Sequence, residues 1–275
     1  MLFRSRLGLD PVFSDDVFAR DGYVAGSAAR RAADLVRAWS DPTVDAVMAV
    51  RGGYGSMQVL PWLDAAAFAA SPKLFIGYSD NTAVLSWLTC QCGVSALHGP
   101  MIDGCLARGA AAYDERSLLG LLGGGRGLDL APAGLQTLRG GEALGPLFGG
   151  NLTQLVSSMG TPYAFTPPAG AVLFVEDVNE RPYRLDRMLT QLAQAGVLLR
   201  VVAIVFGEMR GCDEPDGVVT ARDAVLRALD GFRGPVLYGF PSGHTTGPGW
   251  SLPLGVSVRV IAGEVPHVIV EESVV

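Results

Sequence analysis

The sequence is poor in the residues that build metal sites and disulfide frameworks. Its 275 residues include only three histidines and four cysteines, and the cysteines form no CxxC pair and have no histidines clustered with them. Structural zinc sites and disulfide frameworks both depend on such spacings, so neither is predicted. Cys90, Cys92, Cys105 and Cys212 are expected to be reduced thiols, most of them buried.

Dense basic runs and long apolar runs are also lacking. The formal net charge is −6, which gives no electrostatic attraction for a polyanion, so nucleic acid is not an expected partner. No apolar run approaches the ~20 residues of a membrane span. The opening MLFRSRLGLDPVF carries charges where a signal peptide needs an apolar stretch. We therefore expect a soluble, cytoplasmic protein that does not contact a membrane.

The chain does contain enough apolar material for packed domains. Hydrophobic residues make up 49% of it and charged residues 17%, which is typical of a globular protein. Single cores stop growing near ~250 residues, so this length predicts two domains. The segment 120–150 is rich in glycine and lacks helical periodicity, as a domain junction does. We place the boundary near residue 135, giving domains over 1–135 and 136–275.

The N-terminal part alternates between helical and strand-like patterns. Helical spacing begins at Gly26 and recurs over Leu60–Ala70, and short apolar runs cover Val44–Val50, Leu74–Tyr78 and Val94–Leu97. Such alternation is typical of a parallel sheet covered by helices. We therefore predict an α/β domain.

The C-terminal part contains further strand-like segments. Ala171–Val175 and Val201–Phe206 are predicted to be buried strands, separated by an amphipathic helix over Tyr183–Gly196. The segment 257–272 alternates polar and apolar residues on both sides of a glycine, as a hairpin does. This part is thus predicted to be richer in β-structure.

Residues that directly follow apolar strands are the first candidates for chemistry, because ligands collect at the carboxyl ends of parallel strands. Ser79 lies at a predicted strand-to-helix turn, where its hydroxyl would project and neighbouring backbone N–H groups could stabilise an oxyanion. The same position is also favourable for a serine that only caps the helix. The surrounding residues do not form a GxSxG motif, because Asn81 replaces the last glycine.

A nucleophilic serine needs a base, and three histidines are available. His267 lies in an alternating strand and is expected to be an ordinary sheet residue. His98 and His244 both lie in glycine-containing loops at strand ends, and sequence alone favours His244 only slightly.

The base needs a carboxylate to orient it, and Glu176 follows an apolar run where an unpartnered carboxylate is unfavourable. Asp177 and Glu180 are competitors for this role. An ion pair between Glu176 and either Arg184 or Arg187 is an equally open interpretation.

The glycine-rich loop from Arg51 to Gly55 is a further candidate. It has neither the lysine of a P-loop nor the GxGxxG spacing, so a nucleotide site is not favoured. An oxyanion or substrate loop is the preferred interpretation, with a plain tight turn as the alternative.

Six ordered blocks of the sequence can be compared with known families. The blocks are AVRGGYGS, PKLFIGYSDNTAVL, LHGPM, GPLFGGNLTQL, VLFVEDVNERPYRLDRML and FPSGHTTGP. Together they resemble the LD-carboxypeptidase family, peptidase family S66. The resemblance spans roughly residues 22 to 275 and is more specific than any single motif.

The resemblance implies a Ser-Glu-His triad that falls on Ser79, Glu176 and His244. It implies an N-terminal parallel-sheet α/β domain (flavodoxin or glutamine-amidotransferase-like) that carries the serine, and a smaller, β-rich C-terminal domain that carries the acid and the histidine, usually in a homodimer. The implied reaction releases terminal D-alanine from cytoplasmic muropeptide tetrapeptides during wall recycling, with no metal or cofactor.

Residues for substrate and oxyanion binding are expected near the serine. Backbone N–H groups near Gly53 and Asp80 would stabilise the oxyanion. Arg51, or the helix N-terminus at Asp80, would bind the free carboxylate of the substrate.

The resemblance also has one departure and two alternatives. Relatives normally begin with an additional strand, which carries an Ala-Pro-Ser type loop, and a following helix before the segment that matches residues 5 to 30. This chain lacks them, so we expect a mis-assigned start or a truncated product. A microcin-immunity-like amidase acting on peptidyl-nucleotides is one alternative. A non-catalytic small-molecule-binding relative is the other.

Overall fold

The computed structural model describes residues 7–274. The expectation of a missing first strand concerns the start of the chain, where residues 1–6 lie outside the described residues. Twelve strands are found in the described part. They are β1 (Ala46–Met48), β2 (Leu74–Gly77), β3 (Ala96–His98), β4 (Asp129–Leu130), β5 (Gln136–Arg139), β6 (Gly141–Asn151), β7 (Ala171–Glu176), β8 (Val201–Gly207), β9 (Val236–Phe240), β10 (Leu252–Leu254), β11 (Ser257–Ala262) and β12 (His267–Val270).

Eight α-helices are found in the same described part of the chain, residues 7–274. They are α1 (Ala28–Ser40), α2 (Ser56–Val59), α3 (Ala65–Ala70), α4 (Thr82–Trp87), α5 (Glu115–Leu122), α6 (Leu152–Ser157), α7 (Pro182–Gln194) and α8 (Ala221–Ala228). None of the helices within residues 7–274 is long and apolar enough to cross a membrane.

The strands form two sheets. The first has the order β1-β2-β3-β10, with parallel pairing among β1, β2 and β3 and an antiparallel β10 at its edge. The second has the order β4-β12-β11-β6-β7-β8-β9-β5, and its central strands from β6 to β9 are parallel. This mixed α/β architecture with parallel sheets confirms the predicted fold class. The domain boundary near residue 135 stays a prediction.

Helix α4 lies in the interior, where it contacts strands of both sheets. All six of its residues, Thr82–Trp87, are buried. A helix that is shielded on every side is expected to be largely apolar, and Ala83, Val84, Leu85 and Trp87 make up most of this one. A core of side chains from both sheets, such as Leu97, Phe174 and Leu252, surrounds it. The start of α4, three residues after Ser79, is therefore enclosed by packed side chains.

A second apolar cluster covers the other face of the large sheet. It joins Phe148 and Phe206 to residues of α7 and α8 such as Leu185 and Val225. Helix α7 was predicted over Tyr183–Gly196 and is found over Pro182–Gln194, with its apolar stripe facing this cluster. Strands β7 and β8 are thus buried on both faces, which explains their continuous apolar runs.

One predicted helix is interrupted. The pattern over Leu60–Ala70 forms a 3₁₀ turn, Leu60–Trp62, and the separate helix α3. Pro61 cannot donate a helical hydrogen bond, and Asp64 caps α3 by accepting a bond from the N–H of Ala66 at 3.0 Å. The single-helix prediction was therefore wrong. The strand predicted over Val44–Val50 is present but shorter, because only Ala46–Met48 pairs with β2.

Candidate active site

Ser79 occupies a strained turn between β2 and α4. Strand β2 ends at Gly77, and Ser79 begins a 3₁₀ turn that leads into the helix. Its φ of 63° lies in the left-handed region, which is unfavourable for a residue with a side chain and is concentrated at functional sites. Within residues 7–274, neither this turn nor α4 is capped by a side chain. The helix-cap interpretation of Ser79 is therefore not what the structure shows.

The glycine loop approaches Ser79 closely. A Cβ atom placed on Gly52 would lie 2.9 Å from Cβ and 3.0 Å from Oγ of Ser79. A side chain at position 52 would therefore displace the serine. The close approach gives a physical reason for glycine here that the sequence alone could not supply.

An open cleft of about 200 Å³ brings several predicted residues together. Ser79, His244, Arg51 and Gly53 line it, along with Tyr78, Met101 and Asp103. Asp80 is turned away, because its carboxylate accepts a bond from the N–H of Ser56 at 2.8 Å. The side chain of Asp80 thus fixes the start of α2, and only its backbone N–H remains a candidate for oxyanion binding.

Glu176 ends β7 and is 1% exposed. Its Oε2 accepts bonds from Nδ1 of His244 at 2.8 Å and from the backbone N–H of His244 at 3.0 Å. Arg184 instead pairs with Glu180, with Nη1 3.3 Å from Oε2. The interpretation of Glu176 as the ion-pair partner of Arg184 is therefore wrong, and the ionisable side chain that bonds to Glu176 is His244.

Glycines on two sides leave room for the Glu176 carboxylate. A Cβ atom on Gly207 would lie 2.5 Å from Cβ of Glu176, and one on Gly243 would lie 2.7 Å from its Cδ. Gly243 also has a φ of 89°, which turns the loop so that the N–H of His244 points at the carboxylate.

The pKa values of the pair move in opposite directions. Burial pushes the pKa of Glu176 upward, but the hydrogen bond and positive charge of His244 outweigh this effect and hold it below its usual value. Burial pushes the pKa of His244 downward, while the bond to Glu176 and its charge raise it above its usual value overall. The carboxylate is therefore ionised, and Nε2 is the ring nitrogen left to exchange a proton across the cleft.

Tyr78 forms one wall of this arrangement. Its ring meets that of His244 edge to face, with centroids 5.2 Å apart and an interplanar angle of 76°. Burial raises the pKa of its hydroxyl, which contacts Sγ of Cys105 at 3.5 Å. Tyr78 is thus neutral and limits the movement of the imidazole.

The other two histidines are engaged elsewhere. His98 is fully buried with Nδ1 2.8 Å from Oγ of Ser242, and burial lowers its pKa to about 4. His267 lies in β12 and pairs with Asp129, with Nδ1 2.9 Å from Oδ1. Of the histidines, only His244 lines the cleft with Ser79.

Sequence reasoning missed Asn151, the last residue of β6. Its Nδ2 donates to Oε1 of Glu176 and to Oδ1 of Asp177, each at 3.2 Å, and its backbone N–H donates to Oγ1 of Thr82 at 3.0 Å. Thr82 is the first residue of α4, so Asn151 links the serine-bearing segment to the buried carboxylate. The available signal was a polar residue directly after the apolar GPLFGG stretch.

The side chain of Asp177 bonds to Thr153 and supports the structure around the site. Its Oδ2 accepts bonds from the N–H of Thr153 at 2.9 Å and from Oγ1 of the same residue at 2.8 Å. Burial raises its pKa. Across residues 7–274, no group of three or more His, Cys, Asp and Glu side chains is arranged to hold a metal ion.

Two family models match the chain. The model of the LD-carboxypeptidase N-terminal domain matches residues 1–99, and the model of the LD-carboxypeptidase C-terminal domain matches residues 144–260. The chain belongs to the LD-carboxypeptidase family. The resemblance stated from the sequence blocks is therefore confirmed, and membership of this family makes the protein a serine peptidase.

Relatives of this LD-carboxypeptidase family member match over most of their length. A Streptomyces coelicolor protein named for an inferred carboxypeptidase activity is 38% identical over 259 residues, covering 92% of this chain and 82% of that protein. Murein tetrapeptide carboxypeptidase of Pseudomonas aeruginosa is 34% identical over 247 residues, covering 86% and 79%. The solved structure of muramoyltetrapeptide carboxypeptidase from Oxalobacter formigenes has a TM-score of 0.82 at 30% identity, covering 92% and 87%.

A more distant match is the microcin C7 self-immunity protein MccF of Escherichia coli. It is 27% identical over 286 residues, covering 94% of this chain and 83% of that protein. The proteins that this chain resembles thus have two differently named roles.

Proposed function

We propose that this protein is a serine-type LD-carboxypeptidase that hydrolyses the bond between an L-centre and a terminal D-alanine in murein tetrapeptides. Ser79 is the nucleophile, His244 the general base and Glu176 the residue that orients the base. The observation that carries the proposal is the 2.8 Å contact between Nδ1 of His244 and Oε2 of Glu176, behind a cleft that Ser79 also lines. Relatives named as murein tetrapeptide carboxypeptidases support the substrate.

In the acylation step, Oγ of Ser79 attacks the carbonyl carbon of the scissile bond and its proton passes to Nε2 of His244. The imidazolium is stabilised by the Glu176 carboxylate, which stays ionised throughout. The tetrahedral intermediate collapses when His244 returns the proton to the leaving amine, and D-alanine departs. Water then attacks the acyl-enzyme while His244 takes a proton from it. His244 returns this proton to Oγ of Ser79 as the shortened peptide leaves.

Two nearby features serve binding in this proposal. Backbone N–H groups at Gly53 and Asp80 stabilise the oxyanion, because donors that are already in position cost no reorganisation when the negative charge develops. Arg51 binds the free carboxylate of the D-alanine, for which its planar guanidinium is suited. Release of a terminal residue, rather than internal cleavage, follows from this charge requirement.

The test is incubation with an L,D-tetrapeptide and with its all-L analogue, with release of the terminal residue measured by chromatography. The expected result is release of D-alanine from the first substrate and no release from the second. Equal release from both would contradict stereospecific LD-carboxypeptidase activity. A tetrapeptide amidated at its C-terminus should react much more slowly if Arg51 binds the carboxylate.

An amidase acting on peptidyl-nucleotides is the second candidate, favoured by the similarity to MccF. A peptidyl-adenylate analogue added to the same assay decides between the two. Cytoplasmic murein recycling and a homodimeric state complete the proposal. A serine-reactive phosphonate that fails to label the protein would favour the non-catalytic alternative.

A further inference from the structure

His98 lies in the interior, beside the strand that leads to Ser79. It is the last residue of β3, and in the sheet register it pairs with Gly77, the last residue of β2. The N–H of Gly99 donates to the carbonyl of Gly77 at 3.1 Å. Ser79 follows Gly77 by two residues. The backbone of His98 is therefore fixed relative to the segment that carries the nucleophile.

The imidazole of His98 bonds to the loop that carries His244. A hydrogen bond of 2.8 Å joins its Nδ1 to Oγ of Ser242, which precedes His244 by two residues. His98 is 0% exposed and Ser242 is 1% exposed. Hydrogen bonds in such an interior are electrostatically stronger than in water. This bond connects the first sheet to the loop after β9, a strand of the second sheet.

The chain between Ser242 and His244 is short and constrained. The N–H of Ser242 donates to the carbonyl of Phe240 at 2.8 Å. Gly243 has a φ of 89° and packs against the carboxylate of Glu176, which accepts the N–H of His244 at 3.0 Å. A shift of Ser242 would therefore be passed on to the bonds between His244 and Glu176.

The ring of His98 also lies beside the other two members of the proposed triad. Its centroid is 5.0 Å from that of Phe174, two residues before Glu176, at an interplanar angle of 67°. It is 5.9 Å from that of Tyr78, the residue before Ser79, at an angle of 57°. One buried side chain thus adjoins the three chain segments that carry the triad.

Packing alone does not account for a histidine at position 98. Its Nε2 is buried and has no hydrogen-bond partner within the described part of the chain, and a buried polar atom without a partner costs free energy. An apolar side chain would fill the same space without that cost. Burial also lowers the pKa of His98 to about 4, so the ring is neutral at neutral pH. What the imidazole supplies is its bond to Ser242.

We propose that His98 is a positioning residue for the proposed reaction. Its bond to Ser242 holds the catalytic histidine loop in register with the strand end that carries Ser79. The inference rests on the proposed function, because it concerns the same triad. His98 is fully enclosed and is not among the residues that line the cleft. It therefore acts on the reaction only through the position of His244.

The kinetic test replaces each partner of the bond. Ser242→Ala removes one oxygen atom and should lower kcat for tetrapeptide hydrolysis by roughly 10- to 100-fold with little change in KM, because a displaced base slows chemistry more than binding. His98→Leu should give a similar loss. The double variant should lose no more than the worse single variant, because both changes remove the same bond. Losses that multiply in the double variant would overturn the proposal, as would a native kcat in Ser242→Ala.

Asparagine and glutamine at position 98 separate the bond from packing. The amide of asparagine is attached at Cγ, as Nδ1 of histidine is, so His98→Asn can still bond to Ser242. Glutamine fills more of the space but holds its amide one atom further out. His98→Asn should therefore retain most of kcat, whereas His98→Gln should lose about as much as Ser242→Ala. The reverse order would show that packing decides the rate, and would overturn the proposal.

His267→Leu is the matched control. Nδ1 of His267 forms a comparable bond to Asp129 at 2.9 Å, but this histidine lies in β12 and does not line the cleft. Its replacement should leave kcat unchanged. A loss equal to that of His98→Leu would mean that any histidine bond affects the rate, which would overturn the specific role of His98.

The surroundings of His244 allow a second test that needs no substrate. Burial lowers the pKa of His244, whereas the bond and charge of Glu176 raise it. Asp177 adds to the rise and Arg210 opposes it. His98 is uncharged in the range where His244 titrates, so its replacement has no direct electrostatic effect there. A change in the pKa of His244 would therefore report on its bond to Glu176.

A titration of the imidazole C–H signals by NMR measures this pKa, and with three histidines in the chain single substitutions assign the signals. The pKa of His244 should be lower in Ser242→Ala and in His98→Leu than in the native protein, and unchanged in His267→Leu. This result would support the positioning role even if the native protein cleaved no tetrapeptide. A native pKa of His244 in both Ser242→Ala and His98→Leu would refute it, whatever the activity.

Discussion

Ser79 and Glu176 each follow a buried parallel strand, yet their surroundings differ. Ser79 lies at the cleft in a left-handed conformation with a φ of 63°. Glu176 is fully enclosed, and three donors from Asn151 and His244 bond to it. The nucleophile is positioned by backbone geometry, whereas the carboxylate is positioned by side-chain bonds and close glycines. Changes at Ser79 should therefore affect chemistry alone, and changes around Glu176 should affect chemistry and stability together.

The largest expected effect is that of Ser79→Ala. Loss of the nucleophile should lower kcat by roughly 10⁴-fold or more. The free energy of unfolding should change by less than about 1 kcal/mol, since no buried bond is removed. D-alanine release and urea unfolding measure the two quantities. Retained activity would contradict the role of Ser79, and a large stability change would contradict the contrast with Glu176.

Glu176→Gln should affect both quantities. The side-chain amide is neutral and keeps one acceptor oxygen, so it cannot accept from both His244 and Asn151, and kcat/KM should fall by roughly 10³ to 10⁴-fold as the imidazole loses its orientation. The free energy of unfolding should fall by about 1–3 kcal/mol, because buried polar groups lose their partners. Glu180→Gln is the control, since the Glu180–Arg184 pair lies near the surface, where solvent screening leaves it little effect on stability. Equal stability losses in the two variants would refute the distinction.

Gly243→Ala should disturb the same carboxylate by steric means. Its Cβ would lie 2.7 Å from Cδ of Glu176 at a φ of 89°. We expect a loss of about 1–3 kcal/mol in the free energy of unfolding, with reduced kcat/KM. In the same loop, a Cβ atom placed on Gly247 would have no atom within 4 Å. Gly247→Ala should therefore retain the native free energy of unfolding and the native kcat/KM. Thermal unfolding of the two variants, side by side, makes the comparison.

The smallest expected effect is a shift in the pH profile. The base must be neutral, so kcat/KM should rise as pH climbs through the pKa of His244, which the hydrogen bond and charge of Glu176 raise despite opposing burial. In Glu176→Gln the midpoint should move to lower pH. A midpoint that does not move would mean that another group controls the acid limb.

The same pair gives a signed expectation for stability. The pKa of His244 is raised in the folded state, so its contribution is present below the ordinary imidazole value of ~6.5 and is lost as pH rises through the folded value. The pKa of Glu176 is lowered, so its contribution is present above ~4.3 and is lost as pH falls through the folded value. The pair should therefore stabilise the fold most between these limits.

Much of the fold was predictable because its central strands are buried on both faces. Strands β2, β7 and β8 appear in the sequence as continuous apolar runs, and Ser79 and Glu176 were found by looking just beyond two of them. The two-sheet pairing was less accessible. Strand β10 has three residues and joins the first sheet from far along the chain, so no local pattern could place it.

The site was predictable only in part, because its residues too are brought together from distant parts of the chain. His98 and His244 have similar sequence contexts, and only the structure shows that His98 ends β3 in the interior while His244 reaches the cleft. Asn151 depends on Gly149 and Gly150, whose φ values of 136° and 144° bring β6 close to Phe174 and Thr82. Contacts between residues 69 to 144 positions apart carry no local sequence signal.

The central claim is that the reactivity of Ser79 depends on a pair formed by Glu176, at the end of β7, and His244, in the loop after β9. Labelling with a serine-reactive phosphonate tests this claim most directly. Peptide mass spectrometry should find a single adduct, on Ser79, in the native protein. The labelling rate should fall by at least tenfold in Glu176→Gln while the protein remains folded. An adduct on a different residue, or a rate that does not depend on Glu176, would contradict the account.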